Sequence, residues 1–127
     1  MKIISPAVHG VLDYLVALVL IVAPFVLHLG GESPVAFWLS LAAGVGLVVY
    51  SVLTNYRNSL VKLIPFKTHL IFDFSAGAVF VAAAFLIPAH GTAFTFFLVM
   101  GVAVMAVVLL TDPVVRPAPT VMGHAAS

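Results

Sequence analysis

Four long apolar runs, separated by short polar breaks, account for most of this chain. They span about residues 6–28, 34–55, 68–88 and 93–111. Each comes close to the ~20 consecutive apolar residues that a helix needs to cross a bilayer. Ser5-Pro6 and Ser33-Pro34 read as N-cap and first-turn pairs for the first two runs, and Thr68 as the cap of the third. Gly30 and Gly31 are expected to stop the first helix. Pro24, near its far end, is expected to kink it unless a neighbour satisfies the carbonyl that the missing N–H would have bonded. Because the breaks at 28–34 and 88–92 are short, the runs fold back in pairs. The chain therefore divides into a first helical hairpin at 1–58, a second at 59–112, and a tail at 113–127. Proline and small residues in that tail predict an extended or disordered segment.

Polar residues inside the runs are few, and their spacing repeats. His9-Gly-Val-Leu-Asp13-Tyr and His69-Leu-Ile-Phe-Asp73-Phe occupy the same place in the first and third runs. A four-residue spacing sets each histidine and aspartate on one helix face, one turn apart. Asp13 lies about 10 Å along its helix, below the headgroups, where an unpartnered carboxylate is costly.

Composition confirms the solvent. The 127 residues are 64% hydrophobic and 7% charged, with a mean hydropathy of +1.29, whereas soluble domains run near a quarter charged. The first run contains Asp13 and is long enough to span, so it reads as a membrane helix rather than a cleaved leader. Cysteine is absent, which excludes disulfides, thiolate metal sites and thiol catalysis. A net charge of +1 with no basic patch excludes nucleic acid as a partner. Lys2, Arg57, Lys62, Lys67 and Arg116 all fall on one side of a four-span arrangement. The positive-inside rule then predicts cytoplasmic termini and a cytoplasmic central connection at an inner membrane. Trp38 on one side and Tyr50 and Tyr56 on the other match interfacial aromatic belts.

The similarity between halves extends past the His-Asp pairs. Gly44-Val45 and Leu53-Thr54-Asn55 correspond to Gly101-Val102 and Leu110-Thr111-Asp112 at an offset of 57, against 60 for His9 and His69. The chain thus reads as an all-α membrane protein built from two tandem, parallel copies of one hairpin. If the first and third helices face the axis between the copies, both His-Asp pairs meet on the basic side. Ala17 and Gly77, at equivalent positions, would be where those two helices cross closely.

With those residues set out, the chain resembles the bacterial SPW-repeat family of small integral membrane proteins. Asp13 and Asp73 match the aspartate early in the first helix of each repeat. Ala23-Pro24-Phe25 and Ala83-Ala84-Phe85 stand where the family has Ser-Pro-Trp, with serine and tryptophan replaced in both copies. The resemblance covers both hairpins but not the tail, and it implies a fold and no activity.

For His9, Asp13, His69 and Asp73 the simplest reading is a hydrogen-bonded tether between the hairpins, working through backbone or through Asn55 and Thr111. Three functional readings compete with it. Two histidines on related helices could ligate a haem b iron, with each aspartate orienting an imidazole. Two histidines and two aspartates could hold a divalent metal such as zinc, iron or manganese. The four groups could also relay protons. His28 and His90 close the first and third helices on the opposite side and are expected in water, as is His124 in the tail. No phosphate-binding loop, nucleophile motif or metalloprotease helix is present. The expected role is an accessory or structural subunit without catalysis, contacting the bilayer and a larger membrane complex or further copies of itself.

Overall fold

The computed structural model describes residues 2–55, 61–88 and 90–116. It is helical: α1 (Pro6–Val26), α2 (Leu29–Glu32), α3 (Pro34–Val52), α4 (Phe66–Leu86) and α5 (Thr92–Leu110). All but α2 are long and apolar enough to cross a membrane. Tyr56, Arg57, His124 and the tail beyond residue 116 lie outside the described residues, so the expectations placed on them do too.

The caps explain where the helices start. Ser5 Oγ accepts from the Val8 N–H, and Ser33 Oγ from the Ala36 N–H, each satisfying a backbone donor that a first turn leaves open. Thr68 does not cap the third span. That helix begins earlier, at Phe66 behind Pro65, and without a side-chain cap. The glycines do not stop α1 either. The break comes at Leu27 and at His28, whose backbone is left-handed (φ 53°), while Gly30 and Gly31 lie inside the short α2.

Pro24 sits within α1 and removes the N–H that would bond Leu20. The Ser40 hydroxyl on α3 takes that place, donating to the Leu20 carbonyl at 2.8 Å. A buried serine thus repairs the ladder across the hairpin.

α1 packs antiparallel to α3, and α4 to α5; backbone contact between the two pairs is sparse. Small residues set both crossings. A Cβ on Gly44 would come within 3.0 Å of the Ala17 carbonyl, and one on Gly101 within 2.7 Å of the Gly77 carbonyl. Ala17 and Gly77 therefore serve close packing within each hairpin, not between the first and third spans as expected from their equivalence. The reason is that each faces the glycine of its own neighbouring helix.

Contacts between hairpins lie mainly at one end. Ile4 forms a parallel bridge with Thr111, and Ile64 with Thr54. The segment leading into each hairpin thus pairs with the segment leaving the other. At the opposite end, Glu32 accepts from the Ala93 N–H at 3.0 Å and caps α5 from across the molecule.

Candidate functional site

His9 and His69 each stand three residues into their helix, after Pro6 and Phe66. Asp13 and Asp73 follow one turn later on the same face. All four are buried, with no more than 6% of any residue exposed. The structure brings them into one quartet, and its contacts cross between hairpins.

His9 Nε2 lies 2.9 Å from Asp73 Oδ2 and 3.2 Å from Asp13 Oδ1. His69 Nε2 lies 2.8 Å from Asp13 Oδ2 and 3.0 Å from Asp73 Oδ2. Both imidazoles therefore turn the same ring nitrogen toward the carboxylates. One donor atom from each residue can be chosen so that all lie within 4.8 Å of one another.

The other ring nitrogens are held by two threonines at helix ends. His69 Nδ1 is 2.7 Å from Thr54 Oγ1, and His9 Nδ1 is 2.9 Å from Thr111 Oγ1. Each threonine hydroxyl also lies 2.6 Å from the carbonyl one turn earlier, Tyr50 for Thr54 and Val107 for Thr111. A hydroxyl carries one hydrogen. At that distance it is donated to the carbonyl, so Oγ1 accepts from the imidazole Nδ1–H. The tautomer follows: in a neutral imidazole here, Nε2 bears a lone pair aimed at the carboxylates.

Aromatic residues complete the enclosure. Tyr50 donates its hydroxyl to Asp73 Oδ1 and its ring lies 4.8 Å from that of His69. Phe66, 3% exposed, presents its edge to His9 at 5.4 Å and stacks near His69 at 6.1 Å. On the remaining side His9, Asp13, Asp73 and Tyr50 form the polar end of a cavity of about 160 Å³. Its other walls are apolar side chains from α1, α3, α4 and α5.

All four residues singled out in the sequence are thus together, and Thr111 is with them. Asn55 is exposed; Thr54, one position earlier, makes the contact expected of it. Thr54 was visible as the counterpart of Thr111 at offset 57. Tyr50 lies one turn before Thr54 and so on the same face, a signal outweighed by its fit to an interfacial belt. Phe66 precedes Thr68, the cap expected from the sequence, and so falls in the connection there. His28 and His90 are exposed.

This arrangement can hold protons, as two imidazolium–carboxylate pairs, or one cation among four donors. Bis-histidine haem ligation fits it poorly. Both Nε2 atoms contact the same oxygen of Asp73, and carboxylates occupy the space between the imidazoles where a porphyrin would stand. No family model, no curated protein and no solved structure matches the chain.

Proposed function

We propose that the chain is a small polytopic protein of a bacterial inner membrane, made of two tandem copies of one hairpin, that serves as an accessory subunit without catalysis of its own. In this reading both termini and the central connection are cytoplasmic, and membership of the SPW-repeat family belongs to the same proposal. Paired contacts support the repeat. His9–Asp73 is answered by His69–Asp13, His9–Thr111 by His69–Thr54, and Ile4–Thr111 by Ile64–Thr54, at the offsets of 60 and 57 found in the sequence.

The observation that carries the accessory role is where the polarity goes. Along the spans the histidines and aspartates turn inward and join the hairpins, Lys67 is exposed in the first turn of α4, and the outer surface beyond it is left apolar. Leu15, Leu18, Trp38, Ile71 and Phe85 are each more than half exposed. A surface of that kind meets lipid tails or the helices of another membrane protein. It offers no polar path to a soluble substrate.

The absence of cysteine makes the test direct. Single cysteines carrying a photoreactive label at Trp38 and Phe85 should give discrete adducts heavier than the chain in native membranes. Adducts with lipid alone would overturn the accessory role. Cysteine at Lys62 should react with a membrane-impermeant reagent only after permeabilisation, and cysteine at Glu32 before it; the reverse order would invert the topology.

A further inference from the structure

We propose that the quartet is a binding site for one divalent transition-metal ion of the zinc and iron(II) class. The ligands are His9 Nε2, His69 Nε2 and one oxygen each from Asp13 and Asp73. This goes beyond the accessory role and does not depend on it.

Three observations lead here. First, the threonines commit both Nδ1–H groups outward, so two imidazole lone pairs and two carboxylates converge on one point. With both imidazoles neutral, acceptors face acceptors at 2.8–3.2 Å and repel unless something positive, an ion or a proton on each Nε2, lies among them. Secondly, Asp13 Oδ2 is buried and accepts no hydrogen bond, although His69 Nε2 is 2.8 Å away. That oxygen is thus left with a lone pair turned into the quartet and no aligned donor, as a ligand atom for a shared ion would be. Ligands on a tetrahedral ion with bonds of about 2.0–2.2 Å sit roughly 3.3–3.6 Å apart, and the His–Asp contacts of 2.8–3.2 Å open to that spacing with shifts of less than about 1 Å. Thirdly, the surrounding contacts are those that metal sites use to orient ligands. Thr54 and Thr111 fix the imidazoles, and the Tyr50 hydroxyl holds Asp73.

Charge and donor type select the ion. Two carboxylates neutralise a divalent cation, so the filled site buries no net charge, which matters where the dielectric is low. Mixed imidazole and carboxylate donors suit zinc, iron(II), cobalt(II) and manganese(II). All-oxygen cages suit calcium and magnesium. The side that faces the cavity leaves room for a water or another small ligand on the ion.

The competing account places a second proton on each imidazole and makes the quartet two ion pairs. It predicts a protein that retains no metal. The full chain, purified in mild detergent from cells grown with added zinc and iron, should carry about one ion per chain by elemental analysis. After chelation, cobalt(II) should titrate to one equivalent and give the intense visible bands of a low-coordinate site. Asp13→Asn and His69→Gln should each weaken cobalt binding at least about tenfold. Thr54→Val keeps every ligand, and should weaken it about 10- to 100-fold while preserving the stoichiometry at saturation. Helical content and a monodisperse elution profile check each variant. Folded wild-type protein with less than about a tenth of an ion per chain and no cobalt spectrum would overturn the proposal, whatever the variants do. So would cobalt binding that Asp13→Asn leaves unchanged in a folded protein. Neither result bears on the photocrosslinking that tests the accessory role.

Discussion

In the first hairpin α1 carries Pro24 within its spanning length, and Ser40 donates to the Leu20 carbonyl that the proline leaves open. At the matching places the second hairpin has Ala84 and Phe97, and the Phe97 ring packs edge-on against Phe80 at 4.9 Å. Phe80 is the counterpart of Leu20 at offset 60, and Phe97 that of Ser40 at offset 57. One crossing is held by a polar repair, the other by an aromatic pair, and both are worth about 0.5–1.5 kcal/mol. Near the quartet the hairpins differ again: Tyr50 reaches Asp73, while its counterpart is Val107. Of the polar groups at the quartet, histidine, aspartate and the helix-end threonine recur in both. Packing at mid-membrane can be rebuilt in several ways, because many shapes fill a gap. A buried charge is satisfied only by groups of the right chemistry at the right distance.

The largest test of that contrast is on the carboxylates. Asp73 Oδ2 meets both imidazoles and Oδ1 takes the Tyr50 hydroxyl, whereas Asp13 Oδ2 accepts no hydrogen bond. With the positive charge of the quartet in place, as an ion or as protons, Asp73→Asn should therefore lower stability by about 3–5 kcal/mol, and Asp13→Asn by clearly less, measured by reversible unfolding in mixed micelles. Equal losses would mean that the asymmetry has no energetic weight.

Next come the crossings. At Gly101 an added methyl meets the Gly77 carbonyl at 2.7 Å and the Val81 backbone nitrogen at 2.9 Å, so backbone must move. At Gly44 the nearest atoms are side-chain carbons of Ile21 and Leu20. Gly101→Ala should cost about 1–3 kcal/mol and Gly44→Ala less, read from the same unfolding curves. The opposite ranking would show that the first hairpin is the tighter one.

Ser40→Ala should cost about 1 kcal/mol by leaving the Leu20 carbonyl unbonded. Adding Pro24→Ala should recover most of that, since the restored N–H closes the helix; a double-mutant cycle with no coupling would refute the repair. The smallest effect is Glu32→Gln, about 0.3–1 kcal/mol at low ionic strength and less in salt. A loss that salt leaves unchanged would show that the cap does not act through its charge.

The spans were legible because a helix in lipid must be long and apolar, a constraint that few sequences satisfy by accident. The Ser-Pro caps were legible for similar reasons. The quartet was legible because ionisable groups within such runs stand out and these recur. What escaped the sequence depended on polar groups whose ordinary uses give them cover. Tyr50 belongs to a residue type enriched at interfaces, and that fit outweighs its place on the Thr54 face, the one sign of a hydroxyl turned inward. Thr54 was masked by the more polar Asn55 beside it. The stop at His28 was missed because two glycines nearby offered the usual left-handed conformation, and a histidine adopted it instead. Which helices cross at Ala17 and Gly77 could not be read from smallness alone, since a small residue permits a close approach without naming the neighbour.

The crossed pairing also orders events at the ribosome. His69 and Asp73 trail His9 and Asp13 by 60 residues, which is roughly 3–12 s of synthesis at about 5–20 residues per second. Throughout that interval the newly inserted first hairpin holds a histidine and an acid in lipid with only each other for company, and Thr54 with no imidazole to accept from. It must wait in the bilayer half-furnished until the second hairpin arrives.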